Sequence, residues 1–271
     1  MEGKNLILER RYAEGRTERV PEFARELGAM KLDAVVTTCT PSTRAVQKAI
    51  GSTPIIMAAV ADPVGQNLIA SLARPGGNLT GLSSQGEDIM PKMMELFANV
   101  LPKQATVAVL TEARSDVHPR MWQKLGPVAQ RLGVKLVRID VKPPPRANLA
   151  AAFETAVRDK ANAIFVLPDE PGFLTNRAQI VELAAKHRLP AFYGAREYVD
   201  EGGLMSYGEN LRTAYRNAAS YVSKVARGAK PGDLPVGQPT KFELVINMKS
   251  AKALGITIPQ SVLLLADHAI E

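Results

Sequence analysis

The residues with the clearest capacity to bind a small polar molecule follow a buried strand and open a helix. Thr38, Thr40, Pro41 and Ser42 come directly after the apolar run of a strand predicted over Asp33–Thr38. Free backbone N–H groups and the positive end of a helix suit a carboxylate. Ordinary helix capping uses the same residue types, so the pattern alone does not separate the two interpretations.

Asp62 and Pro63 repeat this arrangement after the apolar run Pro54–Val60. Asp62 is a suitable N-cap and Pro63 fits the first position of a helix. The carboxylate of Asp62 could instead pair with a ligand ammonium. An anion site at Thr40–Thr43 together with a carboxylate at Asp62 would match the two charged ends of an amino acid.

Three further candidates lie at the ends of later predicted strands. Asp169 follows a strand that ends at Leu167 and is our candidate for a polar ligand contact. Tyr193 and Tyr207 could stack on an aromatic ligand, or could simply pack against a hinge. Glu170 is adjacent to Asp169, and we interpret it as part of a solvated turn.

Catalytic and metal-binding patterns are not found. The sequence contains no G-x-S-x-G, Walker A or G-x-G-x-x-G motif. His118, His187 and His268 are isolated, and Cys39 is the sole cysteine, so no metal cluster and no internal disulfide is predicted. We predict no catalytic residue, no metal and no cofactor, and therefore binding without chemistry.

Strands and helices alternate along the chain, which predicts parallel sheets with helices on both faces. A break at Leu101–Pro102 separates two such series. The ligand site of such a sheet lies beyond the carboxyl ends of its strands. The pattern predicts helices over residues 17–31, 40–50, 62–74, 87–100, 117–132, 147–159, 173–187, 211–227 and 249–254, and strands over 5–12, 33–38, 54–60, 79–83, 106–110, 135–140, 163–167, 191–193, 204–207 and 242–246.

Composition limits the classes of partner. Apolar residues make up 46% of the 271 residues, enough for a sizeable core. The net charge of +7 comes from Lys and Arg spread along the chain, so we predict a solvated surface and no nucleic-acid binding. The sequence has no apolar run of about 18 residues, the length that would cross a membrane.

The segments ADPVG (Ala61–Gly65) and SLARPGGNLTGLSS (Ser71–Ser84) resemble the signature of ABC-transporter substrate-binding proteins of the tryptophan/tyrosine-binding type. The resemblance implies an α/β fold of the type I periplasmic binding protein kind. Two doubly wound parallel-sheet lobes would be joined by a three-segment hinge. A small organic ligand, an aromatic amino acid or a related carboxylate, would be held between the lobes by hinge closure.

The resemblance also implies where the lobes begin and end. We place the first lobe at residues 1–102 with 207–230 and the second at 103–206 with 238–271. The crossings are expected near residues 101–104, 202–208 and 228–241. Gly203 and Gly208 are the predicted hinge glycines, because glycine permits the bend that closure needs.

An ABC permease in the inner membrane is the implied partner, and a periplasmic or membrane-anchored extracytoplasmic location is the implied site of action. The family's signal sequence and first strand–helix unit are not found before Asn5, so we expect an incomplete first lobe. A dimer is expected if a second chain supplies the missing strand. A cytosolic small-molecule sensor or an enzyme with the same cleft is the alternative function.

Overall fold

The computed structural model describes residues 6–271, and its strands form two sheets. The first sheet is entirely parallel, in the order β1-β2-β3. The second has seven strands, in the order β10-β9-β8-β7-β6-β4-β5. The strands are β1 (Val35–Thr37), β2 (Ile55–Val60), β3 (Leu79–Ser83), β4 (Thr106–Glu112), β5 (Lys135–Val141), β6 (Ala163–Val166), β7 (Ala191–Tyr193), β8 (Met205–Gly208), β9 (Glu243–Asn247) and β10 (His268–Ile270).

Helices cover the faces of both sheets, as the alternating pattern predicts. They are α1 (Val20–Gly28), α2 (Thr40–Ala49), α3 (Met90–Ala98), α4 (His118–Arg131), α5 (Pro145–Arg158), α6 (Pro171–Thr175), α7 (Arg177–Lys186), α8 (Arg196–Asp200), α9 (Leu211–Ala226), α10 (Met248–Leu254) and α11 (Gln260–Leu263). Short 3₁₀ turns span Thr17–Arg19 and Pro231–Asp233. The predicted helix over 173–187 is divided into α6 and α7.

Strand β2 shows why a continuous apolar run marks a central parallel strand. Successive side chains of a strand point to opposite faces, and both faces of β2 are covered. Ile55 and Met57 pack in the core that contains Val46 of α2. Ile56 and Ala58 pack on the other face against Ala218 of α9. The six residues of β2 are all buried.

The second sheet is parallel except at one pair of strands. β8 runs antiparallel to β9, whereas β9 and β10 run parallel to each other. Between β8 and β9 the chain leaves to form α9 on the first sheet and then returns. It therefore re-enters the second sheet from the opposite end. The sequence alternation did not reveal this reversal, nor did it predict α11 and β10.

Helix α3 packs with the second sheet. Met90, Met93 and Phe97 lie in the core that includes Val107 of β4 and Phe165 of β6. The ring of Phe97 is 5.3 Å from that of Phe192, centroid to centroid. The predicted lobe ranges remain a prediction, but this packing supports a first crossing just after β3 instead of at residues 101–104.

The strand predicted over Asn5–Tyr12 is wrong for residues 7–12. Residues 7–12 form no strand, and Asn5 lies outside the described residues. Ile7 is 87% exposed, and the Arg11 guanidinium pairs with Glu26 of α1 at 2.7 Å. Leu6 takes part in a single β-bridge, and the chain from Ile7 to Tyr12 adds no strand to either sheet.

The helix predicted over residues 62–74 is also wrong. This segment is a series of turns, and Asn67 has a φ of 54° that an α-helix cannot contain. Leu68 and Ile69 are nevertheless buried in the core of the first sheet. The spacing of these two apolar residues therefore indicated that they are buried, but it did not indicate a helix.

The contact between β2 and β3 predicts a strong effect of one glycine. Gly81 has a φ of 126°, and a Cβ atom there would collide with the backbone of Met57. We expect Gly81→Ala to lower the free energy of unfolding by about 2–4 kcal/mol, because backbone strain and a backbone clash add. Urea denaturation measures this. Gly126→Ala is the control, since Gly126 lies in α4 with open space around it and should gain about 0.5–1 kcal/mol. Equal midpoints for both variants would contradict the prediction.

Candidate functional site

A cavity of about 120 Å³, called here the inner cavity, lies where strands of both sheets end. Residues that follow the carboxyl ends of β1, β3, β6, β7 and β8 line it, namely Thr38, Ser84, Pro168, Gly194 and Glu209. This is the place where parallel sheets bind ligands. The two sheets therefore present their functional edges to a common space.

An open groove of about 580 Å³, called here the outer groove, adjoins the inner cavity at Asp169, which lines both. Helix α1, one face of α2 along its whole length and the loop before α4 form its walls. Its cationic side chains are Arg25, Arg44, Lys48 and Arg114. The outer groove thus combines a helix start with positive charge.

The walls of the inner cavity are largely apolar and aromatic, with Ile89, Leu174, Tyr198, Leu211 and Tyr215 among the lining side chains. Tyr198 is held rigidly, because its ring stacks on Tyr193 with 4.5 Å between centroids and 8° between planes. Such surfaces suit an apolar or aromatic ligand body.

Three carboxyl groups also line the inner cavity. Oδ1 of Asp169 accepts a hydrogen bond from Ser84 at 3.3 Å, and Oδ2 is buried without a partner. Oε1 of Glu209 is likewise buried without a partner. Glu170 is buried and accepts a hydrogen bond from the backbone N–H of Gly172 at the start of α6. Our interpretation of Glu170 as part of a solvated turn is therefore wrong.

Burial shifts the titration of all three carboxyl groups. It raises the pKa of Asp169 to about 7 and the pKa of Glu170 to about 7. The pKa of Glu209 rises to about 8, through burial first and the neighbouring charge of Asp169 second. The cause is the poor solvation of a carboxylate in a buried site, which favours the neutral acid.

The start of α2 is not capped by a side chain. The hydroxyls of Ser42 and Thr43 donate back to the carbonyl oxygen of Cys39, at 3.0 and 2.9 Å. Thr40 is 2% exposed, and its hydroxyl has no partner. The capping interpretation of this segment therefore loses support, and free donors remain available to an anion.

Thr40 and Pro41 line the outer groove, and Thr38 lines the inner cavity. Asp62 and Pro63 line neither. The carboxylate of Asp62 is already paired, because Oδ1 accepts the N–H of Gly65 at 2.9 Å and Oδ2 lies 3.5 Å from Arg120. The ammonium contact predicted for Asp62 stays a prediction that its position does not support.

Arg120 of α4 connects the two halves of the molecule. Its Nη1 donates to the carbonyl oxygen of Gly65, on the first-sheet side, at 2.9 Å. Its Nε lies 3.0 Å from Oε1 of Glu87, whose pKa is raised mainly by burial. The contacts of Arg120 with Gly65 and Asp62 therefore join the two halves of the molecule.

The two predicted stacking tyrosines face elsewhere. Tyr193 is fully buried beneath Tyr198, and the ring of Tyr207 packs against that of Phe242 at 5.8 Å. Tyr198, Tyr215 and Glu209 line the inner cavity, and none of the three was among the candidates predicted from the sequence. Glu209 could have been found, because it directly follows a predicted strand. Tyr215 lies in the second turn of a helix and gives no such signal.

Of the two predicted hinge glycines, Gly208 lies where the chain leaves β8 for α9. A Cβ atom at Gly208 would collide with the carbonyl oxygen of Gly194. Gly203 precedes β8 and packs against the ring of Tyr193. A hinge role for either remains a prediction, and position favours Gly208.

Over residues 6–271, no group of three metal-ligating side chains is placed to hold an ion. Within the same range no helix has the length and apolar character needed to cross a membrane.

The sequence profile described as "ABC transporter substrate binding protein" matches residues 1–270. The chain is 25% identical over 254 residues to a tyrosine-binding protein of Clostridioides difficile, covering 93% of this chain and 72% of that protein. A crystal structure of a conserved domain protein from Vibrio cholerae superposes with a TM-score of 0.89 at 30% identity, over 99% of this chain and 88% of that one. An ABC domain from Streptococcus pneumoniae in complex with L-Trp superposes with a TM-score of 0.81 at 29% identity, over 94% and 86%.

The raised pKa of Asp169 predicts how stability depends on pH. The folded chain binds this proton up to about pH 7, whereas the unfolded chain releases it near 3.8, so stability should fall as pH rises between these values. We expect Asp169→Asn to raise the free energy of unfolding by about 2–4 kcal/mol at pH 8 and to change it little at pH 4. Urea denaturation at both pH values measures this without ligand.

Asp159→Asn is the matched control, because Asp159 precedes the amino end of β6, at the opposite edge of the sheet. A gain of the same size at pH 4 and pH 8, or none at pH 8, would contradict the prediction for Asp169. Ser84, Glu87, Glu170 and Glu209 are the other groups that interact with Asp169, and all are retained in both variants.

Proposed function

Because this chain belongs to the family of ABC transporter substrate-binding proteins, which bind small ligands and work with ABC permeases, we propose that its ligand is an aromatic amino acid or a related carboxylate. The cleft between the two sheets is the proposed binding site. The observation that carries this is the uncapped start of α2, with the unpartnered hydroxyl of Thr40, beside an aromatic cavity. A carboxylate would accept hydrogen bonds at the start of α2, and an aromatic ring would pack in the cavity.

The relatives support this ligand class. One is a tyrosine-binding protein, and another holds L-Trp. The apolar and aromatic walls near Tyr198 and Tyr215 suit a ring, and the backbone N–H groups of α2 suit a carboxylate.

The size of the inner cavity indicates that the cleft opens to admit a ligand. Its volume of about 120 Å³ is smaller than the roughly 150 Å³ of a cavity known to hold benzene. We propose that the two halves separate by bending at three crossings: just after β3, near Gly208, and between Gly237 and β9. The ion pair between Arg120 and Asp62 would break and re-form during this motion.

Neither His118 nor Cys39 is suited to act as a base or a nucleophile at the cleft, which favours binding without turnover. The ring of His118 is fully used, because Nδ1 accepts the N–H of Glu112 at 2.9 Å and Nε2 therefore donates to the carbonyl oxygen of Pro168 at 3.0 Å. Burial lowers the pKa of His118 to about 4 and raises the pKa of the Cys39 thiol.

Proteins of this family act outside the cytoplasm, and we propose a periplasmic or membrane-anchored location for this one. An ABC permease in the inner membrane is the proposed partner. The expectations of a dimer and of no nucleic-acid binding remain predictions.

Thermal denaturation of the chain with each of the common L-amino acids tests the proposal. We expect L-Tyr or L-Trp to give the largest increase in stability. Ligand at 100 times its Kd stabilises the folded state by about 2.7 kcal/mol. Release of the compound unchanged after incubation, checked by chromatography, is the expected result for a binding protein. No stabilisation by any amino acid, or steady conversion of one, would overturn the proposed function.

Thr40→Val tests the carboxylate site. This variant keeps the shape of the side chain and removes the hydroxyl, so we expect affinity for the best amino acid to fall about 5- to 30-fold. Isothermal titration calorimetry measures the change. Thr155→Val, in the distant helix α5, is the control and should bind as the original chain does. Unchanged affinity in Thr40→Val would contradict a carboxylate at the start of α2.

A further inference from the structure

We propose that Arg120 is a latch across the cleft, which holds the two halves together around a bound ligand and so sets the rate at which the ligand leaves. Arg120 lines neither the inner cavity nor the outer groove, so it acts on the ligand only through closure. The inference rests on the proposed function for its ligand, but the contacts that carry it involve this chain alone.

The guanidinium of Arg120 is anchored on its own side of the cleft. Arg120 lies in α4, and its neighbour Met121 packs in the core of the second sheet. Its Nε lies 3.0 Å from Oε1 of Glu87, which is almost fully buried. Glu87 precedes α3, and Met90 of that helix packs in the same core. The pair between Arg120 and Glu87 therefore stays within one half when the cleft opens.

The other end of the guanidinium reaches the first half. Nη1 of Arg120 donates a hydrogen bond of 2.9 Å to the carbonyl oxygen of Gly65 and lies 3.5 Å from Oδ2 of Asp62. Both partners belong to the turns after β2, and Leu68 of these turns is buried in the core of the first sheet. These two contacts must therefore break when the halves separate, whereas the contact with Glu87 is kept.

The first half is shaped to receive this side chain. The N–H of Gly65 donates to Oδ1 of Asp62 at 2.9 Å, which fixes the carboxylate and leaves Oδ2 facing Arg120. A Cβ atom at position 65 would collide with that carboxylate and with Nη1 of Arg120. The close approach of the guanidinium therefore requires a glycine at this position.

Other contacts across the cleft are weaker or belong to the ligand site. Arg44 of α2 and Asp116 of the loop before α4 are 3.8 Å apart, and the side chain of Asp116 is 68% exposed. Solvent screens such a pair and leaves it little stabilising effect. Ser84 and Asp169 are joined by a hydrogen bond of 3.3 Å, but both line the inner cavity. Arg120 alone combines a charge-assisted hydrogen bond with an ion pair at a distance from the ligand site.

The dissociation rate of L-Trp, measured by stopped-flow fluorescence, tests the latch. We expect Arg120→Met to speed dissociation about 5- to 20-fold, because the closed state loses an ion pair and a hydrogen bond from a charged group. Arg131→Met is the matched control and should leave the rate unchanged. Arg131 lies in the same helix, and its partner Glu95, at 2.8 Å, belongs to α3 on the same side of the cleft.

Two variants on the opposite side assign the effect to this contact. Asp62→Asn keeps an acceptor for the N–H of Gly65 and removes the charge, so dissociation should be about 3-fold faster. Gly65→Ala prevents the close approach and should match Arg120→Met. Combining Gly65→Ala with Arg120→Met should add no further acceleration, because both changes remove the same contact. Circular dichroism checks that each variant is folded.

Small-angle X-ray scattering without ligand measures closure directly. We expect Arg120→Met to have a larger radius of gyration than the original chain, because the loss of the latch shifts the population toward the open form. Arg131→Met should match the original chain, since the contact that it removes lies within one half. A purely structural role of Arg120 within α4 would leave this radius unchanged.

The outcomes separate the latch from the binding function. Equal dissociation rates and equal radii of gyration for Arg120→Met and Arg131→Met would overturn the latch and leave the binding function intact. Full additivity between Gly65→Ala and Arg120→Met would also overturn it. If no amino acid binds the original chain, the proposed function fails, and the radius of gyration decides the latch by itself.

Discussion

The meeting of two sets of strand ends is the constraint on which this molecule depends. Parallel strands end at the same edge of their sheet, and here the ends of β1 and β3 face those of β6, β7 and β8 across one cavity. The hydrogen bond from Ser84 to Asp169 joins the two sides at its centre. Many of the lining residues follow a strand or begin a helix, where backbone donors and acceptors are free.

Charge is divided unequally within this cleft. The charged groups that line the inner cavity are all carboxyl groups, whereas the outer groove is lined by four cationic side chains together with Asp116 and Asp169. Burial makes the inner acids poor at holding their charge, and their raised pKa values express that cost. A positively charged group of a ligand would lower the free-energy cost of ionising these buried acids. The same burial that makes ionisation unfavourable would therefore favour binding of such a group.

Much of the fold follows from local patterns in the sequence. The continuous apolar run of β2 predicted a central strand, and the Thr40–Pro41 start predicted α2 to within a residue. Patterns failed where a distant contact overrode them. The spacing of Leu68 and Ile69 resembled a helix, yet a left-handed Asn67 makes the segment a series of turns that still buries both side chains. The apolar residues Leu6–Leu8 resembled part of a strand, but a strand needs a neighbour, and Ile7 and Leu8 have none.

Residue order was sufficient to establish the class of fold and the family, since each depends on contacts between near neighbours or on a contiguous signature. The predicted strand ends also led to Thr38, Thr40 and Asp169, which line the inner cavity or the outer groove. Only the three-dimensional structure shows the remaining contacts. The ring of Tyr198 stacks on that of Tyr193, Arg120 forms an ion pair with Asp62, and burial together with the charge of Asp169 raises the pKa of Glu209. Each of these depends on groups that are far apart along the chain or on which face of a ring is covered, and local patterns carry no information about either.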